Sequence, residues 1–180
     1  MNTNIFLYIQ IYTNIYKYIQ IMYLKIYDVM PQVNNVFIML CVDTKSGKRI
    51  LTTRERRSSK TKMGFPGGKV DFVNGKYELP NVAAMREWKE ETGLPLSLFD
   101  RIFDLKCFVW TRRNGSTCGF YVCSTTDFIP IHTFIPNNEI AGLDLNLVSN
   151  IKKAINDNGP FEIRYSSKAS TTAIFNALGW

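Results

Sequence analysis

The sequence predicts a single domain of mixed α/β (α+β) class, with strands and helices interleaved along the chain. Three observations carry that expectation. Two β-rich apolar runs precede a stretch of strong helix formers, two more follow it, and a second helical pattern comes after them. Asn114-Gly115, between the later two runs, is a strong hairpin signal. The length of 180 residues, with 46% hydrophobic and 21% charged residues, suits one globular core. No internal repeat or linker divides the chain.

In chain order, residues 1–29 stand apart from a domain expected at 30–180. They are dominated by Ile, Tyr, Asn, Lys and Gln and hold no apolar run long enough to span a bilayer. They also lack a basic leader region and a small-residue cleavage site. The letters are those of A/T-rich codons, compatible with a large DNA virus or any other A/T-rich genome. Two readings stand side by side: a start at Met30 or Met22 with an over-long gene prediction before it, or an extra strand on the domain. VNNVFIMLCVD (33–43) and RILTTRE (49–55) then read as a strand hairpin around TKSGK. RRSSKTK (56–62) is a basic loop, and MGFPGGKVD (63–71) an extended, glycine-punctuated segment. VAAMREWKEE (82–91) is a helix, with Pro80 near its start and Gly93 just past its end. IFDLKCFVW (102–110) and GFYVCSTTDF (119–128) are strands joined by TRRNGST. PNNEIAGLDLNLVSNIKKAINDN (136–158) mixes a polar loop with a later helical pattern, and the tail from Glu162 ends amphipathically.

The helix is chemically unusual. Glu87, Glu90 and Glu91 fall within roughly a 100° arc on one side of it, at about 100° per residue. Like charges at i,i+3 and i,i+4 oppose a helix by roughly 0.2–0.5 kcal/mol per pair. These also lie at the C-terminal end, where the helix dipole disfavours anions. A solvated Glu/Lys face is the ordinary explanation, but Lys89 projects elsewhere. Carboxylates converging on a rigid element are what a hard divalent cation such as Mg²⁺ needs.

Gly67-Gly68-Lys69-Val70-Asp71, Glu78 and the run Arg86-Glu87-Trp88-Lys89-Glu90-Glu91-Thr92-Gly93-Leu94 together resemble the signature of the Nudix hydrolases. In that signature a Gly is followed after five residues by Glu, and after seven more by Arg-Glu-apolar-any-Glu-Glu-any-Gly-apolar. The seven-residue gap and the whole final run are kept here, and GFPGG before them is typical of the family. One departure is clear: nine residues separate Gly68 from Glu78, which reads as a four-residue insertion in DFVNGKY. The motif covers 68–94, and the strand pattern extends the resemblance over roughly 33–155.

The resemblance implies a mixed β-sheet sandwiched between helices. It implies Mg²⁺- or Mn²⁺-dependent hydrolysis of a phosphoanhydride in a nucleoside diphosphate joined to a second group, by metal-activated water. Expected metal ligands are Glu87, Glu90, Glu91 and the Gly67 carbonyl, with Gly68 the alternative glycine. Glu90 and Glu91 are the expected catalytic carboxylates. Arg86 is expected to orient Glu78, Gly93 to close the helix, and Trp88 to pack beneath it. Many family members add a carboxylate from outside the motif; Glu139 is the candidate and Asp127 the runner-up.

Arg54, Arg56, Arg57, Lys60 and Lys62, directly upstream of GFPGG, form a basic cluster that would steer phosphates, or else a solvated hairpin flank. Arg54, Arg57, Lys62 and Lys69 are the expected phosphate contacts. Net charge is +7, which favours a nucleotide, a polyphosphate or RNA as partner. CFVWTRR (107–113) lacks the proline or tyrosine that marks ADP-ribose and diadenosine-polyphosphate enzymes of the family. Trp110 in that stretch is either core or a stacking platform, and Arg112-Arg113 add charge. Removal of an mRNA cap, or cleavage of diphosphoinositol polyphosphates, is therefore the alternative reading. A binding-only domain is the second alternative, opposed by retention of all the motif glutamates.

Four cysteines without CxxC or zinc spacing read as reduced, packed thiols of a cytoplasmic, reducing compartment, the host's if the source is viral. The single histidine, His132, all but excludes His-based chemistry and reads as structural. No membrane partner is expected.

Overall fold

The computed structural model describes residues 32–56, 62–101, 104–156, 162–163 and 165–180. Residues 1–29, Arg57 and Lys60 lie outside the described residues. The chain divides into two compact units, Met1–Gln32 and Val33–Trp180, and the architecture below is that of the second.

Strand β1 (Asn35–Thr44) organises the sheet because it is hydrogen-bonded to three partners. Its β-branched and long apolar side chains alternate between two covered faces, so nearly the whole strand is buried. β2 (Gly47–Glu55) returns antiparallel through a tight turn in which Gly47 takes φ +112°. The two strands pair only from Cys41–Ile50 to the turn and then diverge. The segment after the basic loop enters the gap: β3 (Lys62–Gly64) pairs with β2, and β4 (Gly67–Lys69) pairs with the first three residues of β1. Ile38 N–H donates to the Pro66 carbonyl at 2.8 Å between them. The two glycines of GFPGG are thereby held inside the sheet.

A small hairpin follows, β5 (Phe72–Val73) and β6 (Lys76–Tyr77). Asn74 and Gly75 both have positive φ, 52° and 77°, the geometry that a two-residue turn between twisted strands requires. The expected insertion loop is thus a self-paired hairpin. Helix α1 (Pro80–Thr92) begins two residues before the expected VAAMREWKEE, with Pro80 supplying a preset φ at its first position. Gly93 ends it in the left-handed conformation at φ 62°, its N–H donating to the Lys89 carbonyl at 3.0 Å. A 3₁₀ turn, Leu96–Arg101, leads on to β7 (Asp104–Thr111) and β8 (Thr117–Thr125).

β8 runs parallel to β1 from Asn35–Cys118 to Val42–Thr125, with β7 antiparallel on its outer side. A second 3₁₀ turn, Ile131–Thr133, carries an exposed His132. β9 (Ile140–Leu147) pairs antiparallel with β2 along almost its whole length, where the sequence suggested a polar loop. Helix α2 (Val148–Asn156), β10 (Glu162–Ile163) parallel to β3, and helix α3 (Tyr165–Ala177) complete the chain. The sheet order is β10-β3-β2-β1-β8-β7, with β4 on β1 and β9 on β2.

One face of the sheet carries Phe37, Met39, Ile50, Phe120 and Val122 against Val148 and Ile151 of α2 and Ile174 and Phe175 of α3. α1 packs on β1 and β4, burying Ala83, Ala84 and a fully covered Trp88 whose ring meets Phe99 edge-on at 5.0 Å. Each large apolar side chain so buried contributes roughly 1.5–3 kcal/mol. The result is the expected mixed sheet with helices, α1 bringing its acidic residues to the glycines of β4. Among the described residues, no helix is long and apolar enough to cross a membrane.

Candidate active site

Glu91 is the most deeply placed carboxylate of the helix, 8% exposed. Its Oε2 accepts the backbone N–H of Gly67 at 2.8 Å. Burial pushes its carboxyl up to about 8, against the pull of that N–H, and the charges of Glu87, Glu139 and Glu90 push the same way. Glu87, half-buried, is also raised, chiefly by burial and against its ion pair with Arg86.

Gly67 and Gly68 are required at their positions by what lies beside them. Gly67 has φ +152°, and a Cβ there would strike the Val36 carbonyl and the Phe37 backbone. A Cβ on Gly68 would collide with the Glu87 carboxylate. The glycines therefore allow the helix carboxylates to lie directly against the backbone of β4.

Arg86 binds more partners than expected. It forks onto Glu78 through Nε (3.3 Å) and Nη2 (3.0 Å), and Nη2 also donates to the Lys69 carbonyl at 3.0 Å. Asp71 lies 3.3 Å from Nη2, while Nη1 reaches Glu87 at 2.9 Å and Glu90 at 3.2 Å. These carboxylates hold the guanidinium charged, the Glu78 hydrogen bond first among them. The expected Arg86–Glu78 tie is present, and Asp71, Glu87 and Glu90 join it. Glu78 and Asp71 also close the foot of the β5–β6 hairpin, Glu78 N–H donating to the Asp71 carbonyl at 2.8 Å.

Glu139 is carried to the same end of α1 by its loop. Asn137 Nδ2 donates to the Glu90 carbonyl at 3.1 Å, and Asn137 Oδ1 accepts the N–H groups of Glu139 (2.9 Å) and Ile140 (2.7 Å). Arg56 N–H donates to the Glu139 carbonyl at 2.8 Å, fixing the loop to the end of β2. Glu139 is exposed, and its charge is felt at Glu91. Asn137 was not a sequence candidate; nothing in PNNE marks it as the residue that docks on the helix end.

Arg54 is tied to Asp144 of β9, Nε to Oδ2 at 2.7 Å, and lies over Gly142. Lys62 begins β3 and Lys69 ends β4, the latter exposed, with its carbonyl on Arg86. Asp127 follows β8, its N–H on Thr125 Oγ1 at 3.1 Å.

A divalent cation suits the donors at this site. Glu87, Glu90 and Glu139 are carboxylates close enough to raise the Glu91 carboxyl, and oxygen donors are what Mg²⁺ and Mn²⁺ take. Among the described residues no three such groups already converge into a cage. Arg86 Nη1 instead donates to both Glu87 and Glu90.

A family model described as the NUDIX domain matches residues 32–157. The chain is similar to a Nudix hydrolase of M. smegmatis, RenU, at 15% identity and TM-score 0.59, over 82% of this chain and 86% of that one. It is similar to an Ap4A hydrolase of C. elegans at 15% identity and TM-score 0.53, over 81% and 99% of the two chains. It also resembles a bifunctional NMN adenylyltransferase/ADP ribose pyrophosphatase of Francisella tularensis at 18% identity and TM-score 0.55, covering 86% of this chain but 44% of that longer one. No curated protein sequence matches. With the family model spanning well over half of the chain and the same fold in these enzymes, the chain belongs to the Nudix family.

Proposed function

We propose that the chain is a Mg²⁺- or Mn²⁺-dependent pyrophosphohydrolase that cleaves a phosphoanhydride in a nucleoside diphosphate linked to a second group. Membership of the family supports the enzyme class. The observation that carries the finer reading is the seating of Glu91 on the Gly67 N–H, with Glu87, Glu90 and Glu139 near enough to raise its carboxyl.

Glu87, Glu90 and Glu91 would hold the cation, which when bound would neutralise the diphosphate and acidify water. The protein's own part is positioning. The Gly67 N–H fixes the rotamer of Glu91, and the absence of a Cβ at Gly68 keeps room for the Glu87 carboxylate. Arg86 is the counter-charge that holds Glu87 and Glu90 in register. Glu139, exposed on a loop anchored to the helix end, would accept the proton of an attacking water, a role supported by its charge being felt at Glu91.

Product release from ADP-ribose, diadenosine tetraphosphate and dNTPs in Mg²⁺ and Mn²⁺ tests this, with Glu91→Gln as control. Turnover of at least one substrate, lost in the variant, is expected. Wild-type and variant behaving alike across the whole set would overturn the assignment.

A further inference from the structure

The loop that carries Glu139 is tied to the acidic helix through one side-chain amide. Asn137 Nδ2 donates to the Glu90 carbonyl at 3.1 Å, one residue before Glu91. The other half of the same amide, Oδ1, accepts the N–H groups of Glu139 at 2.9 Å and Ile140 at 2.7 Å. The Asn137 N–H closes the turn on the Ile140 carbonyl at 3.1 Å. An asparagine that only shaped its own turn would need Oδ1 alone. Here the donor half reaches a helix residue 47 positions away.

The start of β9 secures the far side of the loop. Arg54 pairs with Gly142 but Glu55 with Ile140, so Ala141 is an extra residue, a β-bulge. One extra residue exchanges the faces on which the residues before it lie. Ile140 therefore shares the face of Thr53 and Leu143, where it is buried, rather than that of Gly142 and Asp144. The opposite face has no room for it, because the Arg54 guanidinium lies where a side chain at Gly142 would go. Arg56 N–H holds the Glu139 carbonyl at 2.8 Å. Both backbone groups of Glu139 are thus bonded, while its side chain is exposed.

We propose that Asn137 is a positioning residue for the hydrolysis, holding the Glu139 carboxylate toward Glu91 by joining the last turn of α1 to the start of β9. Asn137 acts through Glu139, so its role rests on the proposed hydrolase reading and deepens it. A carboxylate on an exposed loop accepts a proton efficiently only while it is held in reach of the attacking water. The amide is suited to this because it donates and accepts at once, whereas an aspartate would keep the turn and lose the link to Glu90.

The test combines turnover with hydrogen exchange of the Glu139 and Ile140 amides, read by NMR on the metal-free protein. Asn137→Ala should lower kcat roughly tenfold to a hundredfold with KM little changed, and should speed exchange at both amides. In a Glu139→Gln background the same substitution should lower kcat no further. Asn137→Asp should keep both amides protected and yet show the low kcat. Equal losses of kcat in the wild-type and Glu139→Gln backgrounds would overturn the proposal, because Asn137 would then act on the helix or the fold rather than through Glu139. Wild-type kcat in Asn137→Asp, or wild-type exchange in Asn137→Ala, would overturn it as well. Failure of the hydrolase reading shows as no turnover in wild type, and failure of the positioning shows in the exchange, which needs no substrate.

Discussion

Gly67 donates its backbone N–H to the Glu91 carboxylate at 2.8 Å across a buried interface between β4 and α1. A sheet residue and a helix residue 24 positions apart are thereby fixed to each other at the point where the carboxylates gather. Several properties of the chain should depend on this seam and the residues around it.

The first is pH dependence. The Glu91 carboxyl lies at about 8 in the folded chain against 4.5 ordinarily, so between these values the folded state keeps a proton that the unfolded chain has released. Stability from this group is complete below that window and is lost as pH rises through about 8. In EDTA, the melting temperature of wild type should therefore fall between about pH 5 and about pH 8 more steeply than that of Glu91→Gln. Parallel pH profiles would contradict the burial argument. Adding Mg²⁺ should restore more stability at the higher pH.

The two glycines should fail differently. Gly67→Ala places a Cβ against the Val36 and Phe37 backbone at a φ that disfavours side chains, and should cost roughly 2–4 kcal/mol in denaturant unfolding. Gly68→Ala meets only the Glu87 side-chain end, which can turn away. That variant should stay folded with a small stability change and lose turnover. Equal destabilisation by the two would show that the Glu87 carboxylate is not free to move.

Arg86→Lys keeps the charge but not the fork onto Glu78 or the simultaneous reach to Glu87 and Glu90. A loss of roughly 1–3 kcal/mol is expected, with lower kcat. An unchanged melting curve would demote the Arg86 network to a surface feature.

Glu139→Gln should lower kcat by roughly two to four orders of magnitude, the range of general-base catalysis, with little effect on stability because the residue is exposed. Shifting the pH–rate profile of kcat, rather than KM alone, would separate a proton acceptor from a loop that only docks on the helix. Wild-type kcat in this variant would return Glu139 to the surface.

The thiols give an independent check on the core. Cys41, Cys118 and Cys123 are buried, and burial raises every cysteine, Cys41 to about 11 and Cys123 further. Native protein should react slowly with DTNB near neutral pH, Cys107 first because it is the least covered, and unfolding should release all four. Rapid native reaction of Cys41 would contradict the position of β1 at the sheet centre.

Much of this was legible in the sequence, where local chemistry decides structure. The helix over Glu87–Glu91 and its ends at Pro80 and Gly93 needed only propensity and caps, and β1, β2, β7 and β8 needed only apolar runs and turns. β9 was lost although Leu143, Leu145 and Leu147 alternate with Asp144 and Asn146, because PNN before it and a helical pattern after it masked the period. The candidate carboxylates were legible as letters, but their arrangement was not. That Arg86 would bind Glu87 and Glu90 as well as Glu78 depends on where the β5–β6 hairpin returns the chain. That Arg54 would be tied to Asp144 depends on β9 lying beside β2.

The hairpin also bears on how such chains are recognised and how they diverge. Its extra residues pair with one another, Phe72 with Tyr77 and Val73 with Lys76, and the foot between Asp71 and Glu78 is closed independently of the tip. Growth by cross-strand pairs keeps side chains on their faces and returns the chain to the same point, so it leaves the helix register untouched. The spacing between Gly68 and Glu78 is then a length set by geometry and open to drift in steps of two. A search pattern written with a rigid count would pass over chains whose chemistry is intact, and a tag inserted at Asn74-Gly75 should leave the foot at Asp71 and Glu78 closed.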